Sequence, residues 1–234
     1  MNENYEHISS QISRIGIVPV IKLEKTENAE KLARALSDGG VPVAEVTFRA
    51  AGADKTIKTM RESCPNMLVG AGTVLSIEQA RQACAAGAQF IVSPGSNSDV
   101  IEYCISINMP VFPGCLTPTE IEKAMSYGLK IIKFFPAEQF GGIKTIKAYA
   151  APYQGIRFMP TGGISLDNLS DYMSSKEVAA CGGSFMVKKD MLDNEKWNEV
   201  TVQCRRAVEI IEKVRSRNNG KNSNIRRDNA AFET

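Results

Sequence analysis

Three sets of residues in this chain have types and spacing that could do chemistry. Lys133 sits in the apolar run KIIKFFP, flanked by Ile131, Ile132, Phe134 and Phe135. Such a run reads as a strand covered on both faces, where a bare ammonium is costly. In EVTFR, period-two alternation places Glu45, Thr47 and Arg49 on one face, with Val46 and Phe48 on the other. Two glycine-rich turns complete the set: PTGG over 160–163 and GGS over 182–184.

A lysine among apolar neighbours has one chemistry that no other group in the chain offers. Its neutral amine can attack a ketone and form a Schiff base. An ordinary lysine is almost wholly charged at neutral pH, so surroundings that disfavour the ammonium are required. Ile131, Phe134, Phe135 and the cation Arg49 are the expected suppliers. Glu45 would attract the ammonium, which suits it to carrying protons on and off the reacting carbons and oxygens. The competing reading of Lys133 is a structural ion pair with Glu45. Lys22, at the end of the first strand, is the alternative amine, whereas Lys144 and Lys147 read as surface lysines of a helix.

The remaining groups suit anions. Arg49 with Thr73 could hold a carboxylate. Thr161, Gly162, Gly163, Gly183 and Ser184 belong to turns of the kind whose backbone cradles a phosphate. A substrate with a carboxylate, an adjacent ketone and a distal phosphate would engage every one of these groups. Two rival readings keep the phosphate end. One is an isomerase or synthase without covalent catalysis, and the other is a noncatalytic phosphosugar-binding protein.

These residues need elements to position them. Eight β-like runs begin near residues 17, 41, 67, 89, 110, 129, 156 and 178, separated by segments with helical spacing such as NAEKLARALSDGG and SIEQARQACAAGA. Eight β/α units in just over 200 residues predict an α/β fold, a (β/α)₈ barrel. The rival is a doubly wound open sheet, but no G-x-G-x-x-G turn follows the first strand. Small or polar residues recur at five strand-to-helix junctions, among them Thr73, Pro94, Gly114, Gly162 and Gly183. In a barrel those junctions form the active-site rim, and Glu45, Thr47 and Lys133 turn inward.

Composition bounds the rest. With 234 residues, 43% of them hydrophobic, the chain can close one core. We expect a domain over 1–214 and a polar, disordered tail over 215–234. The tail carries five Lys or Arg against two carboxylates, so it is +3 and the rest of the chain −1, giving the net charge of +2. No basic stripe or aromatic platform suggests nucleic acid, and no apolar run is long enough to span a membrane. The polar start MNENYEHISS does not read as a leader, so a cytoplasmic location is expected. Six scattered cysteines without a C-x-x-C pair, and a single histidine, His7, argue against zinc and disulfide frameworks.

The motifs VPVI, AEVTFR, VGAGTV, FIVSPG, PGCLTPTE, IKFFPAE with its following GG, PTGGIS and GGSFMV resemble, in order and spacing, those of one family. It is the family of 2-keto-3-deoxy-6-phosphogluconate aldolase and 4-hydroxy-2-oxoglutarate aldolase, and the resemblance covers residues 17–187. It implies a class I aldolase on a (β/α)₈ barrel, a homotrimer needing no metal or organic cofactor, with small-molecule keto acids and phosphorylated aldehydes as partners. The implied reaction is reversible cleavage of 2-keto-3-deoxy-6-phosphogluconate to pyruvate and glyceraldehyde 3-phosphate, with 4-hydroxy-2-oxoglutarate as the alternative substrate. Lys133 corresponds to the Schiff-base lysine, Glu45 to the proton-transfer carboxylate, and Arg49 and Thr73 to contacts of the pyruvate carboxylate. Pro94 and Phe135 correspond to walls of the pyruvyl site, and Thr161, Gly162, Gly163 and Ser184 to the distal end. Ala50, Ala51, Ala151 and Phe185 depart from the usual pattern, which leaves substrate preference open.

Overall fold

The computed structural model describes residues 3–230, with side chains to 218. Strand and helix alternate from β1 (Ile17–Ile21) onward, after a leading helix α1 (Glu3–Ile15). The first half runs α2 (Ala29–Asp38), β2 (Val43–Thr47), α3 (Ala53–Ser63), β3 (Leu68–Gly72), α4 (Ile77–Ala85), β4 (Ile91–Val92) and α5 (Ser98–Ser106). Then come β5 (Val111–Phe112), α6 (Pro118–Ser126), β6 (Ile131–Phe134), α7 (Gly142–Ala150), β7 (Arg157–Pro160) and α8 (Leu169–Met173). The series ends with β8 (Cys181–Gly183), α9 (Lys189–Asp193) and α10 (Trp197–Ala230).

All strand pairs are parallel. One sheet has the order β5-β4-β3-β2-β1-β8 and a second pairs β6 with β7. Bridges from Gly114 to Lys133 and from Thr161 to Gly182 join the two sheets at both edges, so the eight strands close in chain order. This is the expected (β/α)₈ barrel, and all eight expected strands are present. Each strand is buried along nearly its whole length, because helices cover the outside and side chains fill the inside. Phe134 illustrates the outer layer: its ring meets Tyr149 of α7 and Phe158 of β7 edge-on, with centroids 6.4 and 6.3 Å away. It therefore faces away from the interior and is not among the neighbours of the Lys133 amine, contrary to expectation.

Helix α1 folds from a polar stretch whose sequence predicts no element. Tyr5, Ile8, Ser9 and Ile12 form its buried stripe. The Tyr5 hydroxyl accepts the backbone N–H groups of Lys130 and Ile131 at 3.1 and 3.0 Å, and Asn4 Nδ2 donates to the Asn108 carbonyl. These contacts lie at the N-terminal ends of β5 and β6, so α1 covers the end of the barrel opposite the rim.

The boundary drawn between residues 214 and 215 falls inside α10, not at its end. Val214 is buried, and the Arg215 guanidinium donates to the carbonyls of Arg14 and Ser13 at 2.5 and 2.7 Å. The backbone of α10 continues to Ala230, while the side chains beyond 218 and residues 231–234 of the expected tail lie outside those described. All six cysteines are free, and burial pushes the thiols of Cys104, Cys115 and Cys204 up to about 12. They behave as small apolar side chains. No helix among the described residues is long and apolar enough to cross a membrane.

Candidate active site

Strand β2 delivers Glu45 and Thr47 to the interior, both fully buried, as the alternation requires. Strand β6 delivers Lys133 opposite them. Its backbone is fixed on the β5 side, where its N–H donates to the Pro113 carbonyl at 2.8 Å and its carbonyl accepts Cys115 N–H at 2.9 Å. The Lys133 amine lies 3.1 Å from Glu45 Oε1, with the two side chains 5% and 0% exposed. Among the described residues, every other ion pair joins side chains at least 39% exposed.

The second carboxylate oxygen distinguishes this pair from an inert one. Glu45 Oε2 is buried and has no hydrogen-bond partner among the described residues. The hydroxyls of Ser9, Ser13 and Thr56 are likewise unpartnered among the described residues, but Glu45 Oε2 alone of these belongs to a carboxylate beside a buried amine, where it is open to take up or give a proton. Room for the carboxylate comes from β3, where Gly72 has no side chain. A Cβ there would collide with Glu45 Oε1.

Around the pair stand the other expected residues. Phe135 lies just past the end of β6 rather than within it, 36% exposed, with its ring centroid 5.5 Å from Lys133 Nζ. Arg49 likewise lies beyond β2, exposed, and its Nε donates to Thr47 Oγ1 at 3.3 Å. Thr47 in turn donates to the Ile21 carbonyl at 2.7 Å, tying Arg49 to the end of β1. Thr47, not singled out as an anion contact, is thus the residue that orients the Arg49 guanidinium. Thr73 sits after β3 with φ +55°, a left-handed conformation uncommon for a residue with a branched side chain. Pro94 lies on the rim after β4, and its carbonyl is so close to Gly114 that a Cβ there would collide with it.

The distal turns lie side by side. Thr161 is buried, and Gly182 has no side chain where one would meet Thr161 Oγ1. Gly162 and Gly163 have φ +95° and +81°, which only glycine adopts without strain. A cleft of about 540 Å³ opens here, lined by Val20, Arg49, Gly163, Ser184 and Phe185 among others. Gly183 is buried behind Ser184. Lys133, Glu45, Thr73, Pro94, Phe135 and Thr161 do not line the cleft. Of the lining residues, Val20 is the register partner of Glu45, and Arg49 is bonded to Thr47 on the same strand face as Glu45. Lys22, the alternative amine, lines the mouth about half exposed and paired with Glu24 at 2.6 Å, so it lacks the burial that sets Lys133 apart.

Lys188 and Lys189 also line this cleft, and neither was singled out from the sequence. Two adjacent lysines immediately after the GGSFMV strand end were the available signal. Lys22 is paired with Glu24 and Lys189 with Asp193, so the net positive charge of the mouth comes from Arg49 and Lys188. No group of three or more metal-ligating side chains occurs among the described residues.

Comparison with known proteins gives concordant matches. The family model described as KDPG and KHG aldolase matches residues 8–214. The 2-dehydro-3-deoxy-phosphogluconate aldolase of Treponema pallidum is 45% identical over 204 residues, 87% of this chain and 97% of that protein. The KHG/KDPG aldolase of Escherichia coli K12 is 41% identical over 208 residues, 88% of this chain and 98% of that protein. Among solved structures, a KDPG aldolase from Legionella pneumophila, with pyruvate captured as a covalent carbinolamine intermediate, aligns with TM-score 0.82 and 34% identity. That alignment covers 85% of this chain and 97% of the other.

Proposed function

This chain belongs to the KDPG and KHG aldolase family, and we propose that it cleaves 2-keto-3-deoxy-6-phosphogluconate reversibly to pyruvate and glyceraldehyde 3-phosphate through a Schiff base on Lys133. The observation that carries this reading is the buried amine 3.1 Å from a carboxylate whose other oxygen has no partner among the described residues.

The geometry supports a single-carboxylate mechanism. Passing one proton from the ammonium to Glu45 leaves an amine and a neutral carboxyl, so the buried pair carries no net charge before or after. The amine then attacks the C2 ketone and forms a carbinolamine. Glu45 returns its proton to the departing hydroxyl, water leaves, and a cationic imine remains. As a carboxylate again, Glu45 takes the proton of the C4 hydroxyl while the C3–C4 bond breaks and its electrons neutralise the imine as an enamine. Glyceraldehyde 3-phosphate departs. Glu45 gives the same proton to C3, and hydrolysis releases pyruvate and restores the amine. Arg49 holds the substrate carboxylate, with Thr73 and Pro94 on the neighbouring rim and Phe135 against the pyruvyl group. Thr161, Gly162, Gly163 and Ser184 receive the distal end, and Lys188 adds positive charge there.

That cationic mouth favours the phosphorylated substrate over 4-hydroxy-2-oxoglutarate, the alternative that the name of the Escherichia coli relative keeps in view. The proposal includes a homotrimer, as the family resemblance implies, and a cytoplasmic location, in keeping with six free thiols. Borohydride reduction in the presence of pyruvate should add one reduced pyruvyl unit to Lys133, read by peptide mass spectrometry. Cleavage should be faster on 2-keto-3-deoxy-6-phosphogluconate than on 4-hydroxy-2-oxoglutarate. An unlabelled Lys133 in an active enzyme rules the mechanism out, and equal rates rule out the role given to the distal turns.

A further inference from the structure

The Gly162–Gly163 turn poses a physical problem that its own residues do not solve. Two consecutive glycines in the left-handed region have no side chains to hold them, and glycine loses the most freedom on ordering. A turn that must present its backbone to a ligand therefore needs support from outside.

That support comes from two sides. From the segment that follows β6, Ala137 N–H donates to the Thr161 carbonyl at 2.8 Å and Glu138 N–H to the Gly162 carbonyl at 3.2 Å. From α8 and its approach, Asn168 Nδ2 donates to the Gly163 carbonyl at 2.9 Å, and Ser165 N–H donates to Asn168 Oδ1 at 2.9 Å. One side chain closes the two halves on each other. The Tyr172 hydroxyl, on a residue 1% exposed, donates to Glu138 Oε1. Burial, together with that bond, holds the phenol well above its ordinary pKa, so it stays a donor throughout the working range.

The fit around this bond is close. The Glu138 stem lies against Gly163, where any Cβ would collide with Glu138 Cβ and Cγ. Gly142 is bare where a Cβ would stand 2.7 Å from the Tyr172 hydroxyl and 3.0 Å from Glu138 Oε1. Glu138 is otherwise exposed, so without Tyr172 its side chain has free rotamers and no reason to back Gly163. Gly162, for its part, sits beside the Phe135 ring, which faces the Lys133 amine.

We propose that Tyr172 and Glu138 are positioning residues for the phosphate-bearing end of the substrate, acting through the Gly162–Gly163 turn. The inference rests on the aldolase reading above. Neither side chain touches substrate; together they set where the turn's backbone lies relative to the amine.

The test separates substrates by their far ends. Tyr172→Phe and Glu138→Ala should each raise KM for 2-keto-3-deoxy-6-phosphogluconate about five- to tenfold, the order expected for one lost hydrogen bond, with kcat within about twofold. KM for the shorter 4-hydroxy-2-oxoglutarate, which has no phosphate, should hold. Glu138→Gln keeps an acceptor oxygen and should restore KM. Both sites tolerate these changes sterically, and thermal melts monitor folding. Equal losses on both substrates, or no change on either, overturn the proposal. Borohydride trapping of pyruvate separates the two levels of argument. If the unaltered enzyme is not labelled, the Schiff-base reading fails; if all variants are labelled alike and the KM split is missing, only this inference fails.

Discussion

A buried lysine beside a buried glutamate is a poor way to stabilise a fold. Desolvating two charges costs several kcal/mol each, and their attraction repays this only with good geometry and full hydrogen bonding. Here the bonding is incomplete, since Glu45 Oε2 has no partner among the described residues. The pair therefore makes physical sense as machinery, and the two roles can be separated. Lys133→Met leaves Glu45 charged and alone, at an expected cost of about 3–5 kcal/mol. Adding Glu45→Gln should recover most of that stability while cleavage stays abolished. Urea unfolding midpoints and cleavage rates on both variants check this, and a single variant as stable as the parent would show that the pair is solvated. At this scale the sequence was informative wherever strand parity applied: Glu45, Thr47 and Lys133 all face inward. Arg49 and Phe135 lie past the strand ends, yet they stay with the residues that parity grouped them with, Arg49 bonded to Thr47 and Phe135 facing the Lys133 amine.

Elements carry the site through what they omit as much as through what they place. Gly72 ends β3 directly against Glu45, and Gly114 makes room for the Pro94 carbonyl. Gly72→Ala is expected to push the carboxylate away from Lys133, lowering kcat by at least about tenfold, with an overpacking cost of about 1–3 kcal/mol. Steady-state kinetics and a thermal melt measure the two effects, and unchanged kcat would mean that Glu45 has room to move without consequence. The eight strands were legible because each is a short apolar run punctuated by glycine or proline. Helix α1 was not, because only Tyr5, Ile8 and Ile12 mark its buried face within a polar stretch, and that stripe acquires meaning only against the barrel floor. Lys188 and Lys189 are not distinguished in the sequence for a similar reason: exposed lysines are ordinary, and only the fold places them on one cleft with Gly163.

At the scale of the molecule, closure of the strand ring brings β2 and β6 face to face and sets β8 beside β1. Docking of α10 back across the start of the chain, through Arg215 to Arg14 and Ser13, fastens the two ends of the described structure together. A chain ending at Asn218 keeps that contact and is expected to retain cleavage rate and melting temperature, whereas Arg215→Ala should lower the melting temperature. Loss of activity on truncation would assign the last residues a role in the enzyme. The amino-acid order by itself determined the number and sequence of β/α units, the inward alternation of Glu45, Thr47 and Lys133, and the glycine-rich turns, because each is written in local periodicity and residue type. It also carried the family, since eight ordered motifs are a linear property. Tertiary structure alone decided that Lys133 meets Glu45 at hydrogen-bonding distance and that Tyr172 reaches Glu138 across 34 residues to brace Gly163. Those contacts join residues distant in sequence, and only the closing of the barrel fixes the distance between them.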